Sequence, residues 1–272
     1  RTRKSRDSES SYVRKPGLGF RVVANTETAI PEDVVAAIVN KNAGREEVSS
    51  NETITVGKCA IKMIGVNGGT FNMGATPEQG KMAGSDESPV HKVTLSGFEI
   101  GQTEVTAGQW LAVMGKLPYM NSADEPEKPV INVSWYDCQE FIVRLNRLTG
   151  RKFRLPTEAE WEWAARGGEN FTYAGSDVAS EVAWCEDSTR DIGTREIKSK
   201  KSNAYGLYDM SGNVAEWCWD MYADIDSKTL GTGPKSNSNI WIRCERGGRW
   251  FNPAEWVTIS DRNFGGTYHV SR

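Results

Sequence analysis

The sequence predicts an α+β fold built from short strands, two to four helices and irregular loops. Three observations support this class. Apolar and polar residues alternate along short segments, three segments carry helix-capping signals, and the 272 residues include 27 glycines and 10 tryptophans. Tryptophan buries a large area and glycine permits tight or left-handed turns, so the composition favours a compact, loop-rich protein.

Two elements are predicted in an N-terminal segment, residues 1–58. Residues 17–23 (GLGFRVV) follow a charged, serine-rich start and indicate a short strand after a turn. Residues 31–40 (PEDVVAAIVN) begin with proline and acids and continue as an apolar stretch, which predicts a helix. A second domain is predicted over residues 59–272, where short strands begin at Ile61.

Capping boxes predict the starts of three helices. In each box a Ser or Thr hydroxyl accepts a hydrogen bond from a backbone N–H, and the side chain three residues later reaches back. The pairs are Thr106 with Gln109, Ser134 with Asp137, and Thr157 with Glu160. The second helix carries a stripe at helical spacing, formed by Cys138, Phe141, Ile142, Leu145 and Leu148. Glycines at 167 and 168 predict the end of the third helix.

Charge and hydropathy exclude several classes of function. The formal net charge is -3, without the basic excess that is typical of nucleic-acid-binding proteins, so no nucleic-acid partner is expected. No apolar run is long enough to predict a transmembrane segment, and the start shows no signal-peptide pattern. Because the chain opens on Arg1, a removed export signal stays compatible with the sequence.

Cysteines and histidines do not form a recognisable catalytic or zinc motif. The five cysteines lack zinc-type spacing, and scattered buried thiols are favoured over a disulfide framework. Neither His91 nor His269 lies in a nucleophile motif, and His91 is expected to be structural.

One turn has the residue types of a calcium site. Asp209 and Glu216 flank a turn in which Gly212 and Val214 offer carbonyl oxygens. Carboxylates together with carbonyls suit a hard cation such as calcium. The alternative is a tight turn whose acids accept hydrogen bonds from backbone N–H groups.

Ordered motifs from Ile61 to Trp250 resemble the formylglycine-generating-enzyme, or sulfatase-modifying-factor, family. The matching stretches are residues 69–74 (GTFNMG), 87–93 (ESPVHKV), 104–106 (EVT), 129–135 (PVINVSW), 144–146 (RLN), 149–150 (TG), 153–162 (FRLPTEAEWE), 203–217 (NAYGLYDMSGNVAEW) and 246–248 (RGG). The resemblance implies a C-type-lectin-like fold. It also implies calcium at the turn, held by Asp209, Gly212, Val214 and Glu216.

A departure from the family pattern argues against catalysis. Active enzymes of this family carry a cysteine pair at the second and seventh positions after the tryptophan that here is Trp250. This chain has Asn252 and Val257 there, and neither can supply the thiol that the copper-dependent oxidation needs. The related iron-dependent branch uses histidines, and two distant histidines give it little support. The chain is therefore predicted to be non-enzymatic and to require no cofactor, and structural calcium is expected from the resemblance alone.

The C-terminal residues 249–272 are predicted to be a display segment for ligand recognition. They mix large aromatics with small polar and charged residues, the types that recognition loops favour. This resembles the variable proteins of diversity-generating retroelements, which carry a mutagenised C-terminal segment on the same scaffold. The predicted ligand-binding residues are Arg249, Phe251, Asn252, Glu255, Trp256, Thr258, Ser260, Asp261, Asn263, Phe264, Thr267, Tyr268 and His269. The alternative is an ordinary last strand and loop of a degenerate family member.

The closing motif of the family stands at the opposite end of this chain. Family domains finish with a stretch like LGFR, which occurs here at residues 18–21. This segment either ends an upstream domain or closes this same fold from its N-terminal side, and the second is preferred. In that case residues 8–12 would also lie near the display segment.

Three functions follow from these patterns. The first is a receptor or adhesin-type protein at the cell surface or outside the cell, with or without a lipid anchor, that binds an unknown protein or cell-surface ligand. The second is a family enzyme with altered oxidative chemistry, with Glu255, Asp261 and Arg262 converging near Trp250. The third is a structural domain of a secreted assembly.

Overall fold

A computed structural model describes residues 17–25, 51–189, 193–223, 225 and 242–267, and the structural statements below concern these residues. They form an α+β fold, as predicted. The strands are β1 (Leu18–Gly19), β2 (Val23–Asn25), β3 (Glu52–Val56), β4 (Cys59–Val66), β5 (Gly69–Met73), β6 (His91–Leu95), β7 (Phe98–Gly101), β8 (Phe153–Arg154), β9 (Ala215–Met221), β10 (Ile242–Arg246) and β11 (Arg262–Gly266). The helices are α1 (Ala107–Met114), α2 (Trp135–Thr149), α3 (Glu158–Arg166) and two single turns, α4 (Ala179–Val182) and α5 (Glu186–Thr189). Short 3-10 segments lie at Pro77–Met82, Ser85–Glu87 and Ala254–Trp256.

All three predicted capping boxes start helices, namely α1, α2 and α3. At α3 the Glu160 N–H donates to Thr157 Oγ1 at 3.2 Å, and the Thr157 N–H donates back to Glu160 Oε2 at 2.8 Å. The three helices end at Gly115, Gly150 and Gly167, each in the left-handed conformation that glycine adopts without strain. None of the helices in the described ranges is long and apolar enough to cross a membrane.

The described strands form three sheets. One has the order β1-β9-β10-β11, the second has the order β3-β4-β7-β2-β8, and the third is the β5-β6 pair. The β1-β9 pair is parallel and the other strand pairs are antiparallel. The first sheet contains β11 from the display segment, so the scaffold and the predicted recognition residues share one hydrogen-bonded unit.

The N-terminal segment 17–25 runs through both large sheets. β1 pairs with β9, and β2 lies between β7 and β8. The predicted strand over residues 17–23 is thus two strands, because residues 20–22 carry the chain from one sheet to the other. Phe20 lies in this crossing, fully buried, with its ring centre 5.2 Å from that of Phe141. A Cβ placed on Gly17 would lie 3.3 Å from the Trp250 indole, so the segment begins beside the C-terminal region.

Two apolar clusters make up most of the core. One packs α1 and α2 around Phe20 and Trp110, and the other packs α3 against the sheets around Trp161. The predicted stripe of α2 faces the first cluster up to Leu145. Leu148 departs from the prediction and is 61% exposed, because the last turn of α2 extends past the core.

Some predictions about the N-terminal region fall outside the described residues or stay untested. The predicted helix over residues 31–40 lies outside them, as do residues 8–12. The predicted boundary after residue 58 falls in the β3-β4 hairpin, whose strands pair across it. The division into 1–58 and 59–272 stays a prediction about domain organisation.

The candidate recognition surface and acidic turn

The C-terminal segment turns sharply after β10, and we call residues 247–257 the display turn. Gly247 and Gly248 both have positive φ angles, 86° and 72°. A Cβ on Gly248 would lie 2.2 Å from the Trp256 carbonyl oxygen, so no larger residue fits without moving the backbone. The 3-10 segment Ala254–Trp256 then leads towards β11, which pairs with β10.

A recognition surface requires side chains that project into solvent or a shallow pocket, but six of the predicted display residues are buried. They are Arg249, Asn252, Thr258, Ser260, Asp261 and Thr267. Several of them bond to other parts of the fold. The Arg249 guanidinium forms an ion pair with buried Glu245, and Ser260 Oγ donates to Glu87 Oε2 at 2.6 Å. Buried polar groups need such partners, so Arg249 and Ser260 belong to the scaffold.

Five predicted display residues stay at the surface or half-buried. They are Phe251, Glu255, Trp256, Asn263 and Phe264. Trp250, which the prediction omitted, is half-buried beside them, and its ring packs edge to face on Phe251 with centres 5.1 Å apart. We call Trp250, Phe251 and Trp256 the aromatic rim. Tyr268 and His269 lie outside the described residues.

The two positions of the family's cysteine pair are structural in this chain. Asn252 Oδ1 accepts a hydrogen bond from the Arg249 N–H at 2.8 Å, and the Asn252 carbonyl accepts one from the Glu186 N–H at 2.8 Å. Val257 is fully buried in a small cluster with Tyr173, Val182, Ala183 and Cys185. Both residues therefore hold the display turn in place.

The thiol of Cys185 lies beside Val257. The sequence did not indicate this contact. Cys185 lies in the same cluster as Val257 and is 2% exposed. Burial raises the pKa of the Cys185 thiol. A buried thiol with a raised pKa is a poor nucleophile and metal ligand. All five cysteines are free thiols, and four are buried, as predicted.

The three residues expected to converge in an altered enzyme do not form one group. Glu255 is exposed, whereas Asp261 and Arg262 are buried. Arg262 points towards α3, where its Nε donates to Glu158 Oε1 at 2.7 Å. Burial opposes ionisation of Glu158, but the Arg262 and Arg246 guanidinium groups lower its pKa to about 2. Arg262 is thus committed to an internal ion pair.

Residues 209–216 form what we call the acidic turn. Asp209, Gly212 and Asn213 have φ angles of 57°, 80° and 57°. A Cβ on Gly212 would lie 2.1 Å from the Trp184 carbonyl oxygen. Asp209 is 3% exposed, and its Oδ2 accepts from the Lys198 N–H at 2.9 Å. Asp209 Oδ1 is buried without a hydrogen-bond partner.

Glu216, predicted as a calcium ligand, has partners inside the fold that the sequence did not indicate. Its Oε1 and Oε2 accept hydrogen bonds from Arg21 at 2.6 Å and 2.7 Å, and Oε2 also accepts from Trp161 Nε1 at 3.0 Å. Arg21 and Glu216 are both fully buried. Glu216 is therefore the counter-ion of the arginine in the LGFR motif, a pairing between distant parts of the sequence.

Glu104 is a carboxylate at this turn that the sequence analysis missed. It is fully buried, its Oε1 accepts from Asn213 Nδ2 at 3.2 Å, and its Oε2 has no hydrogen-bond partner. Burial, and then the charge of Asp209, raise the pKa of Glu104 well above its usual range. Burial likewise raises the pKa of Asp209 to about 6. The only signal for Glu104 in the sequence was its place in the family-matching stretch 104–106.

The donor set of the acidic turn fits calcium in part. Asp209, Glu104 and the carbonyls of Gly212 and Val214 offer the oxygen ligands that calcium prefers, whereas Glu216 is already engaged. In the part of the chain that the structure describes, no group of three or more His, Cys, Asp or Glu side chains is placed to hold a metal ion. A cation here would therefore depend on backbone carbonyls.

Sequence comparisons place the chain among known relatives. Residues 55–270 match the sulfatase-modifying factor enzyme 1-like domain. The chain is 32% identical to the chaperone protein LppX of Paenibacillus barcinonensis, over 80% of this chain and 88% of that protein. It is 29% identical to the formylglycine-generating enzyme of Thermomonospora curvata, over 68% of this chain and 81% of the enzyme. It is 30% identical to the serine/threonine-protein kinase pkn1 of Chlamydia pneumoniae, over 90% of this chain but only 40% of the kinase.

A solved structure, that of Treponema denticola variable protein 1, is similar over most of the fold. The TM-score is 0.69 at 30% identity, and the match covers 81% of this chain and 95% of that protein. This similarity confirms the predicted C-type-lectin-like fold of the formylglycine-generating-enzyme type and the resemblance to a variable protein. The chain belongs to the family of the sulfatase-modifying factor enzyme 1-like domain.

Proposed function

We propose that this chain is a non-enzymatic ligand-binding protein of receptor or adhesin type. The observation that carries the proposal is the state of the two positions where the family's enzymes hold thiols. Asn252 and Val257 stand there, and both are buried in the scaffold of the display turn. The neighbouring thiol of Cys185 is buried and has a raised pKa, so it does not replace the missing pair.

The recognition surface in this proposal is narrower than residues 249–272. It consists of the aromatic rim with Glu255, Asn263 and Phe264, which are exposed or half-buried. Rigid aromatic side chains give a large contact area and lose little conformational entropy on binding. The buried residues of the display turn hold the rim in one conformation, which lowers the entropic cost of binding further.

The ligand is an unknown protein or other molecule outside the cell or at its surface, where we also place the chain. A lipid anchor is one means of attachment there. The similarity to a variable protein supports a display role. The formylglycine-generating enzymes among the relatives support the second candidate, a family enzyme with altered chemistry.

The enzymatic candidate is tested by incubating the protein with thiol-containing peptides, copper or iron, and oxygen, and by following loss of the thiol by mass spectrometry. We expect no conversion above a protein-free control. Turnover that disappears in Cys185→Ser would instead establish an enzyme and overturn the proposal.

Binding is tested with a phage-displayed random peptide library selected on the immobilised protein. The triple variant Phe251→Ser, Glu255→Ser, Trp256→Ser should lose at least about tenfold in affinity for the selected peptides, since aromatic anchors dominate interfaces. A matched control replaces three exposed apolar residues elsewhere, Tyr119, Met120 and Tyr136, by serine and should bind normally. Equal binding by the rim variant and the wild type would show that the rim is not the recognition surface.

A further inference from the structure

Helix α3 carries three buried charged side chains on one face. Glu158, Glu162 and Arg166 are four residues apart, so they point to the same side of the helix. All three are buried. Ionised groups are found inside proteins when charged partners and hydrogen bonds compensate for the loss of water, so the partners of these three groups show what the face holds.

A row of partners begins at the C-terminal end of α3. Arg166 Nη1 donates to Glu78 Oε1 and Arg166 Nη2 donates to Glu162 Oε1, both at 2.8 Å. Glu162 Oε1 also accepts the Gly74 N–H at 2.9 Å, and Glu162 Oε2 pairs with Arg246. Glu162 therefore links two arginines, one on its own helix and one on β10.

The row ends at the two strands that flank the display turn. Arg246 is the last residue of β10, and Arg262 is the first residue of β11. Arg246 Nε lies 3.8 Å from Glu158 Oε1, and Arg262 Nε donates to the same oxygen at 2.7 Å. Negative and positive groups thus alternate along what we call the charge row, which consists of Glu78, Arg166, Glu162, Arg246, Glu158 and Arg262.

Arg246 also binds the segment that returns from the display turn. Its Nη1 donates to the carbonyl oxygens of Ser260 and Asp261, at 2.8 Å each. The chain leaves the charge row at Arg246, forms the display turn, and comes back to the row at Arg262. Residues 247–261, which include the aromatic rim, are therefore held to α3 at both ends.

Charge pairs of this kind contribute more to geometry than to stability. Taking two charges out of water costs much of the free energy that their attraction supplies, so apolar side chains of similar volume often stabilise a core as well. An arginine instead fixes the direction of several acceptors at once, as Arg246 does for Glu162 and two carbonyl oxygens. The charge row is therefore suited to orienting the segment that it holds.

We propose that the charge row positions the recognition surface, with Glu162 and Arg246 as its central positioning residues. The inference rests on the proposed function, because it gives the row a part in binding at the aromatic rim. By holding both ends of residues 247–261 on α3, the row restricts the orientations of the rim before a ligand binds. A preorganised surface loses less conformational entropy on binding and so binds more tightly.

The test removes the middle pair of the charge row and keeps the remaining charges balanced. The variant is Glu162→Gln, Arg246→Met. The glutamine oxygen can still accept the Gly74 N–H, and the other four groups of the row remain as two complete pairs. The variant should fold, because no buried charge is left without a partner.

Amide hydrogen exchange, followed by mass spectrometry, measures the positioning without any ligand. Exchange in residues 247–261 should be at least about tenfold faster in the variant than in wild type, because local opening there costs less free energy. Exchange in α1, which lies outside the charge row, should stay unchanged. Equal acceleration in both places would mean general destabilisation and would overturn the proposal.

Binding is measured with a fluorescein-labelled peptide from the phage selection on wild type. The variant should bind it at least about tenfold more weakly, since the rim loses its preorganisation. The control Glu99→Gln, Arg151→Met removes an ion pair between β7 and the residues before β8, and it should bind like wild type. Unchanged affinity in the variant, or the same loss in the control, would contradict the proposal.

The two measurements separate this inference from the proposed function. A wild-type protein that selects no peptide refutes the proposed function, and hydrogen exchange then decides on the charge row alone. Peptides that bind wild type and the variant equally well leave the proposed function standing and refute the positioning role.

A second variant decides the question if the first does not fold. Glu158→Gln, Arg262→Met removes the end pair of the charge row and leaves its other four groups balanced. It should accelerate exchange in residues 247–261 relative to α1 in the same way. Exchange at the wild-type rate in that segment would show that the charge row does not position the recognition surface.

Discussion

The display turn and the acidic turn are hydrogen-bonded to each other, but their buried charged side chains have different partners. The Gly212 N–H donates to the Gly247 carbonyl and the Trp250 N–H donates to the Asn213 carbonyl, both at 2.8 Å. The Arg249 guanidinium of the display turn forms an ion pair with Glu245, which lies in the preceding strand β10. In the acidic turn, the arginine is taken by Glu216, and Asp209 and Glu104 keep one uncommitted oxygen each. The display turn therefore takes its counter-charge from the neighbouring strand, whereas burial raises the pKa values of Glu104 and Asp209 at the acidic turn.

The largest expected effect comes from the backbone of the display turn. Gly248→Ala should lower the free energy of unfolding by about 5 kcal/mol, because the new Cβ would lie 2.2 Å from the Trp256 carbonyl at a φ of 72°. Gly57→Ala is the matched control. It has a similar φ of 59° with nothing within 4 Å and should cost about 1 kcal/mol. Denaturant unfolding measures both, and equal costs would mean that the display turn relaxes freely.

The charge balance of the display turn is tested by Arg249→Met. The substitution leaves Glu245 buried without this guanidinium and should lower the free energy of unfolding by about 4 kcal/mol. The exposed pair of Arg144 and Glu140 on α2 provides the comparison, and Arg144→Met should cost less than about 0.5 kcal/mol. If Arg249→Met lowers the free energy of unfolding only slightly, the backbone alone stabilises the display turn.

Asp220, outside both turns, is a buried carboxyl whose Oδ2 accepts a hydrogen bond from the Glu158 N–H at 2.6 Å. Burial, and then the charge of Glu158, raise the pKa of Asp220 to about 7. The folded state therefore binds this proton more tightly than the unfolded state. This contribution to stability is full at low pH and is lost as the pH rises from about 4 through 7.

Asp220→Asn should remove that loss. At pH 8 the variant should be more stable than wild type by about 4 kcal/mol, with little difference below pH 4. Urea unfolding between pH 4 and pH 8 measures how the free energy of unfolding changes with pH. In this range Glu158 stays mostly ionised in the folded state, because its pKa is lowered to about 2. Parallel pH profiles for the two proteins would mean that Asp220 ionises without penalty.

Local signals predicted the helices well because capping is decided within a few residues. The hydroxyl and the residue three positions later satisfy the first N–H groups of α1, α2 and α3 without help from the rest of the chain. The strand over residues 17–23 was predicted less well. Its change from one sheet to the other at Phe20 depends on β9 and β7, which are far away in the sequence.

Contacts between residues far apart in the sequence also limited the prediction of the candidate sites. The aromatic and polar mixture of residues 249–272 predicted a recognition segment, but composition does not tell Arg249 from Phe251. Arg249 is buried against its partner Glu245, and Ser260 is buried against Glu87. Similarly, the spacing of Asp209 and Glu216 suggested a pair of ligands, and the donation from Arg21 to Glu216 became visible only in three dimensions.

Residue identity at single positions and short spacings were enough to predict the fold family, the three capped helices, and the loss of the thiols at Asn252 and Val257. Three-dimensional contacts were needed to show which display residues are buried and that Arg21 pairs with Glu216. Those outcomes depend on burial and on charge pairing between residues far apart in the chain, and both are set by packing.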